Sequence, residues 1–211
     1  MLENNNRNRE KSIKEVIKMK NILICMVLAV TVFCATSAWA AASRTVSVNA
    51  TVPTMTGGLT VTVSKVTGTV WTTASTISFG TLTWDTVNNI FLPASYYAVD
   101  VGVTDNSGTV WTLTHTRVSL QKDATNNLNG KVNVSFNKQT SSSVGTELAK
   151  YSYANSQNIA YTKTQLSGGW LRIYYGIGTG QAGKDATGVT PIGMDTPAGT
   201  YTGSVTITLT P

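Results

Sequence analysis

Cysteine is almost missing from this 211-residue chain. Cys25 and Cys34 are its two cysteines, and both lie in the N-terminal apolar stretch. A disulfide-stapled scaffold and a cysteine-ligated zinc site are therefore not expected in the rest of the chain. Histidine occurs once, as His115, which leaves no second imidazole for a His-based metal site. Charge is scarce too, at 12% of residues. Beyond residue 40 there are ten Lys/Arg against seven Asp/Glu, a net charge of +3, and no basic cluster. That balance gives no reason to expect nucleic acid as a partner. Strong helix formers never accumulate in one window, so a helical fold is not expected either.

Residues 1–40 read as a targeting segment. Lys18 and Lys20 supply a positive flank, residues 22–33 an apolar run, and Ala38-Trp39-Ala40 a small-x-small cleavage site. The polar stretch before Met19 is unusual for such a leader and makes Met19 an alternative start. Phe33 occupies the place before Cys34 where lipidation requires a small residue. The apolar run is short for a spanning helix. The expectation is Sec-type export, cleavage after Ala40, an extracellular or cell-surface location, and no stable membrane anchor after cleavage. Residues 41–211 then form a single domain, long enough to bury a core without disulfides or metals.

Threonine dominates that domain, with Val, Ser, Gly and Asn behind it, and β-branched residues suit pleated, half-buried surfaces. The apolar positions alternate with a period of two. Val46, Val48, Ala50 and Val52 form one such face, and Leu59, Val61 and Val63 another. Ile77 and Phe79 begin a run that continues through Leu82 and Trp84. Further sets are Tyr97, Val99, Val101 and Val103; Trp111, Leu113 and His115; and Val132, Val134 and Phe136. Leu171, Ile173, Tyr175 and Ile177, and finally Tyr201, Gly203, Val205, Ile207 and Leu209, complete the series. Turn chemistry at 56–58, 105–108, 126–130 and 196–199 separates the runs. The reading is an all-β, antiparallel two-sheet β-sandwich of the immunoglobulin-like or Greek-key kind, with about eight or nine strands. The polar region 139–165 reads as a long excursion, with one helical turn at 147–151.

Motifs that carry chemistry are few. The glycine-rich run at 178–184 approaches a dinucleotide or phosphate loop, but residues 185–191 (DATGVTP) break the helix that such a loop requires. Asp185 stands where Ser or Thr would coordinate magnesium, so the run reads as a surface loop. His115 shares a face with Trp111 and Leu113, and no nucleophile-elbow sequence accompanies it; it reads as a structural residue. The acidic set, Asp85, Asp100, Asp105, Asp123, Glu147, Asp185 and Asp195, singles out no glycosidase pair. The loop at 123–130 is rich in oxygen ligands but lacks the bidentate Glu of a calcium loop. No catalytic residue, cofactor site or metal site is assigned, and the chain reads as a non-enzyme. The aromatics Trp71, Trp84, Trp111, Trp170, Tyr96, Tyr97, Tyr174, Tyr175 and Tyr201 offer either a stacking surface or core; Trp111 and Tyr201 follow the apolar phase and read as core.

Several segments in order resemble the WxL domain of bacterial cell-surface proteins. They are GLTVTV at 58–63, TISFG at 76–80, and VTDNSG at 103–108 leading into Trp111-Thr112-Leu113. The closing pair is Gly199-Thr200-Tyr201 and Ile207-Thr208-Leu209. In the second motif Ile207 stands where the family has Trp, which puts any role needing both tryptophans in doubt. The layout also resembles secreted spore coat U type, fimbrial-like proteins, which typically carry cysteines. The first resemblance implies a secreted, non-catalytic cell-surface protein held non-covalently to peptidoglycan or a partner surface protein. The second implies a fimbrial structural subunit that self-associates by donating the strand of Val46, Val48, Ala50 and Val52. An extracellular carbohydrate-binding module is a further alternative.

Overall fold

The computed structural model describes residues 45–51 as backbone, and 59–104, 110–141 and 145–210 in full. The targeting segment, Val52 and the turn at 105–108 lie outside the described residues. Ser43–Pro211 forms one compact unit. The chain is nearly all β, and among the described residues the helices are two single 3-10 turns, Asn129–Lys131 and Tyr153–Asn155.

Thirteen strands are described, more than the alternation suggests. A five-stranded sheet contains β1 (Thr45–Thr51), β4 (Ile77–Thr81), β8 (Thr112–Arg117), β11 (Ile159–Thr162) and β13 (Thr200–Thr210), in the order β11-β8-β13-β1-β4. A six-stranded sheet contains β2 (Leu59–Thr67), β3 (Val70–Ala74), β7 (Tyr96–Val103), β9 (Val132–Gln139), β10 (Thr146–Ser152) and β12 (Trp170–Ile177), in the order β10-β9-β12-β7-β2-β3. A small hairpin pairs β5 (Thr83–Asp85) with β6 (Ile90–Leu92).

The alternation sets which side of each strand faces inward. Val99, Val101, Val134, Phe136, Leu171, Ile173 and Tyr175 of the larger sheet are buried with Leu113, Tyr201, Val205, Ile207 and Leu209 of the smaller. Aromatic rings lock the two faces together: Phe79 meets Tyr97 edge-on at 5.6 Å, and Phe136 meets Tyr161 at 5.4 Å. Such packing of two inner faces makes the sandwich core.

Three local readings change. Residues 147–151 are not a helical turn; they lie in β10, which pairs antiparallel with β9 from Thr146↔Lys138 to Ser152↔Asn133. The run from Ile77 to Trp84 is not continuous: Gly80, at φ +64°, bends it, and the chain passes from β4 into β5 of a different sheet. The 139–165 excursion carries β10 and β11, edge strands of opposite sheets. A glycine also earns its place in the longest strand. A Cβ at Gly203 would stand 3.0 Å from both Leu120 Cα and Ser119 O. The segment 118–121 crosses there and bonds to β13 through Val118 N→Ser204 O and Gln121 N→Thr202 O.

Candidate functional site

The residues that suggested chemistry are satisfied by their own fold. His115 is 2% exposed. Its Nδ1 lies 2.6 Å from Ser156 O, and its Nε2 lies 2.9 Å from Tyr175 Oη. The carbonyl requires a proton on Nδ1, so Nε2 accepts from the tyrosine hydroxyl. The imidazole is neutral and joins the smaller sheet to the larger. Burial lowers its pKa to about 4. The ring packs edge-on against Phe136 at 5.2 Å.

The glycine-rich loop is closed by the residue that follows it. Asp185 accepts from Thr179 N at 2.9 Å, Gly180 N at 2.6 Å and Asn133 Nδ2 at 2.8 Å. The amides that would cradle a phosphate are held by an internal carboxylate, and residues 182–185 form turns rather than a helix. In the 123–130 loop, Asp123 accepts from Thr125 N, Thr125 Oγ1, Asn126 N and Asn126 Nδ2. These donors, Asn126 first, hold its pKa well below the usual carboxylate range. Among the described residues no group of three or more His, Cys, Asp or Glu could hold a metal ion.

The two Trp-x-Leu-like segments do come together. They lie on adjacent antiparallel strands, with Leu113 opposite Leu209 and His115 opposite Ile207. All four face the core. Ile207 is buried among inner-face residues, and its position beside His115 is a packing position. Trp111 is 8% exposed and Tyr201 1%, both core as expected. The Tyr201 hydroxyl donates to Pro197 O at 2.7 Å.

The other aromatics divide by face. Tyr97 and Tyr175 are buried, whereas Trp71 is 43% and Tyr96 39% exposed. These two, with the half-buried Tyr174 and Trp170, lie on the outer face of the larger sheet. Arg172 donates to Asp100 through Nε at 2.6 Å and through a terminal nitrogen at 2.8 Å. Trp170 Nε1 donates to the same carboxylate at 3.2 Å. The Trp71 ring lies over the Arg172 guanidinium at 4.7 Å, a cation–π contact. This group was not legible in advance. Asp100 and Arg172 occupy the polar phases of strands 72 residues apart, and only the β7–β12 register places them opposite each other.

The most unusual arrangement is at the N-terminal strand. β1 runs parallel to β13 with seven partners, from Thr45↔Thr200 to Thr51↔Thr206. On its other side it runs antiparallel to β4, with a register shift between Val46 and Ser47. The remaining strand pairs described are all antiparallel. The first described strand thus sits inside the smaller sheet, not at its edge. Without it, the 200–206 stretch of β13 and the facing edge of β4 lose their shared neighbour. Val46, Val48 and Ala50 belong to this strand; Val52 lies outside the described residues.

No protein-family model matches this chain, and no curated protein or solved structure matches it.

Proposed function

We propose that this chain is an exported, non-catalytic structural subunit of the cell surface, whose copies join by donating the N-terminal strand into the β13–β4 seam of a neighbour. The observation that carries this reading is the place of β1: the first described strand, inserted between two others, paired parallel to the last strand of the fold. With residues 1–40 removed on export, this segment has one free end and can leave its seam without unthreading the domain. The backbone bonds it makes to β13 and β4 are the same whether it comes from its own chain or from another, so exchange changes connectivity more than contact energy. An emptied seam exposes two strand edges, which a second copy of the segment covers.

Attachment to the wall or to a partner surface protein is a second reading, favoured by the outer face of the larger sheet. Trp71 and Tyr96 are exposed there, a surface suited to stacking on sugar or protein.

Deleting residues 41–52 separates the two. Strand donation requires the intact protein to form sedimenting polymers that the deletion abolishes, and a synthetic 44–52 peptide to bind the truncated domain. A monomeric intact protein whose deletion variant merely melts lower overturns it. Co-sedimentation with wall sacculi, lost in Trp71→Ala/Tyr96→Ala, is the outcome that favours attachment instead.

A further inference from the structure

We infer that the outer face of the larger sheet, at Trp71 and Tyr96, is a platform for a neutral, unbranched, β-linked chain of pyranose sugars. This rests on the attachment reading of that face given above and names its ligand class. The Trp71 ring belongs to β3, yet it meets the guanidinium of Arg172 on β12 at 4.7 Å, with β2 and β7 between them. Three strand spacings amount to about 14 Å, so both side chains must lie along the sheet to touch. One face of the indole is taken by the guanidinium. The ring is nevertheless 43% exposed, which leaves its opposite face to solvent. Val66 stands opposite both Trp71 and Tyr96, and Ala98 opposite Tyr174, all on this outer face. Val66 and Ala98 are buried even so. The rings and Arg172 thus form a covering layer, and Tyr96 and Tyr174 pack at 6.1 Å within it.

The chemistry of the face selects the ligand. Asp100 and Arg172 neutralise each other through two hydrogen bonds, and Trp170 Nε1 donates to the same carboxylate. A partner therefore needs no charge. The neighbouring outer-face positions Thr62, Ser64 and Thr73 carry hydroxyls, which can donate to and accept from a polyol. A protein partner is disfavoured by size. The exposed parts of the two rings amount to roughly 200 Å², against about 800 Å² per partner in a standard protein interface. A pyranose needs far less, because its C–H face covers one aromatic ring. Equatorial β-linkages keep successive sugars in a flat ribbon that can lie along a sheet face, whereas α-linked chains coil away from it.

The test uses protein recovered after expression of the full sequence and labelled with indole-¹⁵N tryptophan, with Trp71→Phe assigning its resonance. The probes are cellohexaose, N-acetylchitohexaose and maltohexaose. At least one of the two β-linked chains is expected to shift the Trp71 resonance and leave Trp111 in place. Tighter binding of cellohexaose assigns a plain glucan, and tighter binding of N-acetylchitohexaose an N-acetylated chain. Calorimetry should show affinity falling about tenfold in Trp71→Ala and in Tyr96→Ala, with Trp71→Phe retaining part of it. The titration of the unsubstituted protein keeps the test independent of whether the alanine variants fold. The inference fails if neither β-linked chain moves Trp71, if maltohexaose binds equally well, or if both alanine variants fold and bind like the parent. Sacculi separate the two levels. Co-sedimentation lost in Trp71→Ala/Tyr96→Ala without binding of either hexaose overturns the glycan class and keeps attachment. Hexaose binding without co-sedimentation overturns the wall as anchor and supports the glycan site.

Discussion

His115 links acid sensitivity to a single side chain. Folded, its pKa is lowered to about 4 by burial; unfolded, it returns to about 6.5. Above pH 6.5 both states hold it neutral, and its contribution to stability is complete. As pH falls from 6.5 the unfolded chain takes a proton that the folded one refuses, so stability declines until pH 4. The loss over that window is about 3 kcal/mol. Asp85 and Asp123 have pKa values lowered by donors in their own turns, led by Asn88 and Asn126 respectively. Their contributions fade at lower pH, which leaves the window to the histidine. Urea melts from pH 7.5 to 4 should show the decline, and His115→Gln should flatten it while starting from a lower stability. Trp111 makes a second test at this scale. Trp111→Ala should cost about 3–5 kcal/mol, because a large buried inner-face side chain is lost from the core. An unchanged denaturation midpoint would place the indole outside the core.

The strands show where local pattern suffices and where it does not. β7, β9, β12 and β13 were legible because apolar residues recur at every second position in each, as at Val132, Val134 and Phe136 of β9 and Val205, Ile207 and Leu209 of β13. β10 was not: Glu147, Leu148, Ala149 and Lys150 are good helix formers, and pairing with β9 overrides that preference. β3 was missed because its side chains are mostly exposed, so no apolar phase marks it. On the outer face of the larger sheet, Asp100→Asn should cost about 2 kcal/mol, below the full price of a broken buried pair because the carboxylate is partly exposed. Asp100→Leu combined with Arg172→Met should recover part of that loss, and a double-mutant cycle in urea measures the coupling. Gly203→Ala should destabilise by about 1–3 kcal/mol, because its methyl meets the backbone of Ser119 and Leu120. Hydrogen exchange at Val118 and Gln121, whose amides bond across to β13, should rise in that variant.

At the scale of the whole molecule, the sequence by itself determined the class. Alternation decides which side of each strand is apolar, and enough one-sided strands can bury those faces only by stacking two sheets. The same rule placed Trp111, Leu113, His115, Tyr201, Ile207 and Leu209 inside, since each follows the phase of its own strand. Tertiary structure decided which strands are neighbours. The parallel seat of β1 between β13 and β4, the Asp100–Arg172 pair beneath Trp71, and the His115–Tyr175 bond between sheets all depend on residues distant along the chain. Periodicity carries one bit per residue, inward or outward. Register and partner are chosen by the joint packing of every inner face and the pairing of backbone groups, and that choice exists only once the sheets have met.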